Sequence, residues 1–287
     1  EVIGTKEINE SGAITISNLL EQRAGVSIST NVDGGAIFNM LGLDSRYILI
    51  LKDGQPITGQ FNNRVDLNQI STNGLKKIEI IKGPGSAIYG TDAMAGVINI
   101  ISEDPSNTLN MEVGYRVSSF GGNTEQILEE YPSSVARADI KFPLNKFFIS
   151  TNITYQNFRR GQEFEYINAD KINKININND INWRSSNHQI RFSYQTYDQL
   201  DEGTTNLSNG FILFTNETDI FRNEFNLSHK WKLNHKLSID QTIRNANYGR
   251  NYTVKNSEGE ISNQDKTSEK NIEYELLFNV YSGSRTI

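Results

Sequence analysis

The chain has 287 residues, with 28 Lys and Arg against 34 Asp and Glu, a net charge of -6. That balance, with no dense basic block, argues against a nucleic-acid partner. The absence of Cys excludes a disulfide framework, a thiolate nucleophile and a Cys-based metal site, and three scattered His leave little for zinc.

No apolar run approaches the roughly 20 residues of a membrane helix, and the opening Glu1-Val2-Ile3-Gly4-Thr5-Lys6 lacks the form of a signal peptide. A membrane β-barrel stays open, because its strands are apolar only at every second residue.

Up to about residue 104 the pattern is that of a mixed α+β domain. Thr15 suits an N-cap, the apolar residues after it have helical spacing and Gly25 suits termination, which predicts a short helix. Three short apolar runs, 46–51, 77–81 and 96–101, predict strands of one small sheet, with Lys52-Asp53-Gly54 as a turn after the first.

Beyond Asp104-Pro105 the grammar changes to long period-two segments. In residues 109–117 every odd position is apolar or aromatic and every even one is polar or Gly. The alternation returns at 136–142, 147–155, 175–183, 189–197, 221–231, 237–245 and 272–280, which makes about eight strands, each near the length of a tilted membrane strand. Connections at 143–146, 184–187 and 232–234 are short, whereas 118–135, 157–174, 198–220 and 248–270 are long and polar. Strict alternation of short and long is the asymmetry of an outer-membrane barrel and is not required of a soluble sandwich. The first connection is long, so the first strand should run outward from the periplasmic side. Aromatics at segment ends, Tyr115, Phe142, Phe147, Tyr155, Trp183, Tyr197, Phe221 and Trp231, fit interfacial girdles. About eight strands close around side chains only, with no room for a domain of about a hundred residues, and an open sheet in lipid leaves edge groups unsatisfied. The expectation is a plug domain at 1–104 and the leading part of a larger barrel at 105–287.

Two stretches in the first part carry a resemblance. Residues 40–57, with Gly42, Arg46 and Asp53-Gly54, and residues 78–101, with Gly83-Pro84-Gly85, Tyr89-Gly90 and Gly96, closely resemble the plug of TonB-dependent receptors; the stretch ending in Arg23-Ala24-Gly25-Val26 resembles that family's opening segment. The resemblance implies an outer-membrane receptor of a Gram-negative bacterium, a barrel of about 22 strands, outer-membrane lipid around it, and TonB as the energising partner. It implies active import of a bulky small molecule, a ferric siderophore, haem or cobalamin, with a surface lipoprotein as a further partner. It implies no cofactor and no enzymatic activity, and the residues show no catalytic constellation. A ligand-sensing signalling receptor and a soluble carbohydrate-binding or adhesin β-protein are the rival classes. Leu41 stands where the family often carries the Arg of a plug-to-barrel polar lock, while Lys82 keeps the second motif's basic position.

Two polar, Gly-containing loops are the expected apex of the plug and its substrate contacts: Asn31 and Asp33 in one, Gln60, Phe61, Asn62, Asn63 and Arg64 in the other. Gly83, Pro84, Tyr89 and Gly90 are expected to build the plug rather than touch ligand. Asp198, Asp201 and Glu202 cluster carboxylates on an expected external loop, a weak calcium candidate. His188, His229 and His235 lie near the short turns, without the makings of a haem or metal ligand set.

Overall fold

The computed structural model describes residues 1–30, 36–57, 59–61, 64–83, 93–103, 106–118, 133–159, 171–206 and 211–280. The first part folds as β1 (Val2–Gly4), α1 (Thr5–Ser11), α2 (Ile16–Leu20), β2 (Val26–Thr30), β3 (Ala36–Met40), β4 (Leu43–Asp44), β5 (Ile48–Lys52), β6 (Gln55–Pro56), β7 (Gln60–Phe61), β8 (Arg64–Val65), β9 (Leu75–Lys82) and β10 (Gly96–Ser102). Thr15 caps α2, its Oγ1 accepting from the Asn18 N–H at 3.3 Å. The helix stops at Leu20, short of Gly25, because residues 21–23 offer no apolar side chain to bury.

One sheet, ordered β1-β9-β10-β5-β6, organises this domain. β10 lies at its centre, antiparallel to β9 and parallel to β5, so that Ile98 sits beside Ile80 on one side and Ile50 on the other. Its apolar residues pack with Ile16, Leu19 and Leu20 of α2 in one core. Gly96 is required at the head of β10: a Cβ there falls 2.3 Å from the Ile81 carbonyl oxygen and from Met40 Cε.

The second part is a single antiparallel meander: β11 (Asn110–Ser118), β12 (Ser133–Leu144), β13 (Phe147–Arg159), β14 (Lys171–Arg184), β15 (His188–Asn206), β16 (Ile212–Lys232), β17 (Leu237–Asn256) and β18 (Ile261–Val280), paired in chain order. All eight predicted segments are strands. Their outward residues are apolar and exposed, with Val113 at 66% and Ile272 at 76%, whereas inward positions carry polar and charged groups such as Arg244 at 2%. This is the arrangement of a barrel wall rather than of a half-buried soluble sheet, and the wall is part of a barrel whose edges here are β11 and β18. No helix among the described residues is long and apolar enough to cross a membrane.

Two expected loops are instead strand. Residues 198–206 and 212–220 continue the β15/β16 ladder, and β17 and β18 run on to a tight turn in which the Asn256 N–H donates to Glu260 O at 2.9 Å. The pairing there persists through residues polar on both faces, so the hydrophobic alternation fades before the ladder ends. The connections at 119–132 and 160–170 lie outside the described residues.

Candidate functional site

The first domain seats against the inward face of the wall, and polar contacts recur along the seam between them. The tight turn after β5 points one group of contacts at β14 and β15. Asp53, at φ 51, accepts from the Ser102 N–H and Oγ, both at 2.8 Å, which fixes the turn to β10. From the wall, Arg191 Nη2 donates to the same carboxylate at 3.3 Å, while the Arg191 guanidinium holds Asp180 at 2.8 Å. Lys52 extends beside it, Nζ donating to Gln195 Oε1 at 2.8 Å and Asn178 Oδ1 at 3.3 Å. Burial pushes the Lys52 ammonium below the usual lysine range, partly opposed by the negative charges of Asp53, Asp180 and Glu224. A cavity of about 220 Å³ opens here, lined among others by Lys52, Asp53, Arg191, Glu224, Asn226 and Ser228. It is roomy and polar enough to hold water.

A tighter contact joins β12 and β13 to residues 71–74. Ser71 Oγ and Thr154 Oγ1 meet at 3.0 Å in a buried pair, and Asn73 Nδ2 donates to the Ala138 carbonyl at 3.3 Å. Lys141 pairs with Glu103 just before the wall begins.

A third contact lies beside the β7/β8 hairpin. The Gly59 N–H donates to Glu269 Oε2 at 3.2 Å, and Tyr248 packs so closely on Gly59 that a Cβ there falls 2.8 Å from its ring. Tyr248, Tyr197 and Ile220 form a small buried cluster on the inward face. The Arg222 guanidinium lies 5.5 Å from the Tyr197 ring and donates to the Gln69 carbonyl at 3.5 Å. The arrangement seats the plug loop on buried aromatic and guanidinium groups of the wall.

Of the expected apex residues, Gln60, Phe61 and Arg64 fall in one hairpin, Phe61 pairing with Arg64; it follows directly on Gly59. Asn31, Asp33, Asn62 and Asn63 lie outside the described residues, as do Pro84, Tyr89 and Gly90. Gly83 ends β9 at φ 106.

Asp198, Asp201 and Glu202 are not on a loop but in β15, and the strand separates them. Asp198 faces outward, Asp201 turns inward and accepts from Gln199 Nε2 at 2.6 Å, and Glu202 pairs with Lys171 at 2.8 Å. An odd spacing along a strand puts side chains on opposite faces, which a sequence cluster does not reveal.

Lys82 is paired inside the first domain, with Glu1 at 2.8 Å and the Ala24 carbonyl at 2.9 Å. Leu41 is 56% exposed at φ 52. Ionic links between domain and wall are carried instead by Asp53 with Arg191 and by Glu103 with Lys141. Tyr197, expected in an interfacial girdle, is instead buried on the inward face, and Arg191, Arg222, Tyr248 and Glu269 were not picked out from the sequence. The signal available was their inward phase: in each strand they occupy the polar half of the period-two pattern.

A plug seated by polar contacts against the inside of a barrel wall defines the plugged-barrel class of protein. Residues 1–97 match the family described as TonB-dependent Receptor Plug Domain. Over 103 residues the chain is 36% identical to the vitamin B12 transporter BtuB of Vibrio vulnificus, a stretch covering 35% of this chain and 17% of that transporter. Among solved structures, the siderophore receptor PirA from Acinetobacter baumannii superposes with a TM-score of 0.73 at 18% identity, over 94% of this chain and 43% of that one. A variant of the ferric enterobactin receptor PfeA from Pseudomonas aeruginosa gives 0.72 at 17%, over 98% and 46%. The chain therefore spans less than half the length of these relatives. Residues 1–97 thus belong to the TonB-dependent receptor plug domain family, and the strands that follow share the fold of such receptors' barrel walls.

Proposed function

We propose that the chain is the plug, residues 1–104, and the leading wall, residues 105–287, of a receptor that imports a scarce, bulky nutrient across the outer membrane of a Gram-negative bacterium. TonB, coupled to the inner-membrane proton gradient, supplies the energy. The single observation that carries this reading is the plug's seating: it meets the lumenal face through hydrogen bonds and ion pairs beside a polar cavity. Water replaces such contacts at small net cost, whereas an apolar interface of the same extent would resist displacement.

The cargo in this reading is a metal chelate with a large organic frame: a ferric siderophore, haem or cobalamin. Plug sequence similarity runs to vitamin B12 transporters and fold likeness to siderophore receptors. The loop residues Asn31, Asp33, Gln60, Phe61, Asn62, Asn63 and Arg64 are the proposed plug-side contacts, with Tyr248 and Arg222 beside them. Cells expressing the full receptor and no other importer, offered radiolabelled cobalamin, ferric siderophores and haem in turn, should accumulate one of them. Accumulation of none would reject import of these chelates, and ligand-dependent transcription without accumulation would favour a sensor.

A further inference from the structure

The wall brings together two of the chain's three histidines at its short-turn rim. His188 opens β15, its backbone N–H donating to Ser185 Oγ at 3.1 Å, and the ladder sets it opposite Trp231 of β16, with Ile190 opposite His229. The two imidazoles are thus diagonal neighbours on the outward face, close enough for long side chains to meet. Nδ1 of His188 lies 3.1 Å from Nε2 of His229. With centroids 5.3 Å apart and planes within 14°, the rings meet edge to edge, nitrogen facing nitrogen. Trp231 also stacks with His188, ring centroids 5.7 Å apart.

We propose that this pair is a binding site for a divalent transition-metal ion, held by His188 Nδ1 and His229 Nε2. The spacing is the basis. With metal–nitrogen bonds of about 2.0–2.1 Å, two nitrogens 3.1 Å apart subtend about 100° at the ion, an angle between square-planar and tetrahedral. In the metal-free pair one ring N–H donates to the other ring's lone pair. On binding, that donor ring changes tautomer and carries its hydrogen on the nitrogen facing away, and each ring turns by about 40° so that its lone pair meets the ion. No proton is lost from a neutral pair. Imidazole nitrogen selects Cu²⁺, Ni²⁺ and Zn²⁺ over Mg²⁺ and Ca²⁺, with Cu²⁺ the tightest. Gln241, opposite His229 in the β17 ladder, places an amide on the same face, and water fills the remaining positions.

The site is independent of the cargo, since it lies on the outside of the wall. Its test is Cu²⁺ titration of the complete, untagged receptor in detergent, read by electron paramagnetic resonance and calorimetry. The expected result is one tight equivalent with two-nitrogen hyperfine structure. His188→Ala and His229→Ala should each weaken it by more than the roughly ten- to hundredfold typical of outer-shell losses. His188→Phe, which keeps a ring against Trp231, should lose the ion while preserving the heat-modified mobility of a folded barrel. His235→Ala, in the next turn, should leave binding unchanged. Failure of the wild type to bind, wild-type affinity retained in either His188 variant, or loss on His235→Ala alone would overturn the assignment.

Discussion

Replacing Arg191 by Ala should loosen the plug without unfolding it. The guanidinium bridges Asp53 of the plug and Asp180 of the wall, with side-chain exposures of 27% for Asp53, 13% for Asp180 and 29% for Arg191 itself. That places the triad between exposed pairs, worth about 0.2–1 kcal/mol, and buried ones, whose breakage costs about 3–5 kcal/mol. Removal also takes away the cation that the Asp53 and Asp180 carboxylates share. A loss of about 2 kcal/mol follows, or roughly a thirtyfold rise in the population with the seam open. Asp53→Asn keeps the Arg191–Asp180 pair and should cost about 1 kcal/mol, roughly a fivefold rise. The Asp53 turn itself survives Arg191→Ala, because Ser102 still donates twice to it. Labelling of a Ser228→Cys reporter in the cavity by a charged maleimide measures the open population when reclosure is fast. Labelling of the Arg191→Ala receptor no faster than wild type, or Asp53→Asn exceeding Arg191→Ala, would refute this account of the seam.

Three further outcomes are expected. Gly59→Ala, at φ 93 and with its Cβ 2.8 Å from Tyr248, should lower plug stability by about 1–3 kcal/mol, and adding Tyr248→Ala should recover the steric part but not the backbone part in thermal unfolding. Lys52 binds fewer protons folded than unfolded between its lowered folded pKa and the usual 10.5, so in that window stability rises with pH, and Lys52→Met should flatten the rise in chemical denaturation. Ile177→Arg, on the outward face in mid-strand, should cost about 2–4 kcal/mol on folding into lipid vesicles, against about 0–1 for Trp183→Arg at the rim; equal costs would contradict the placement of the wall in the bilayer.

The wall was legible because period two is a strong signal over nine or more residues, and Val113 or Ile272 facing outward is what that signal predicts. Its outer extensions were not. At 198–206 and 248–256 polar residues occupy both faces, so only the ladder partners, far away in sequence, mark them as strand. The plug sheet was visible in its isoleucine-rich runs, whereas α1 buries only Ile8 and leaves little pattern. The candidate site was half legible. Plug loops stand out by Gly and amide content, but each wall partner is a single inward residue, such as Arg191 or Tyr248, whose role depends on what stands opposite it. Asp198, Asp201 and Glu202 show the converse, a cluster in sequence that the pleat divides. His188 and His229, 41 positions apart, meet only through the register of β15 and β16.

The central claim is active import through a plugged barrel. It is tested most directly by uptake of the identified chelate in cells carrying the complete receptor, with and without TonB and with and without a protonophore. The account predicts saturable accumulation that disappears when either TonB or the proton gradient is removed, while surface binding persists. Accumulation that continues in the absence of either would contradict it.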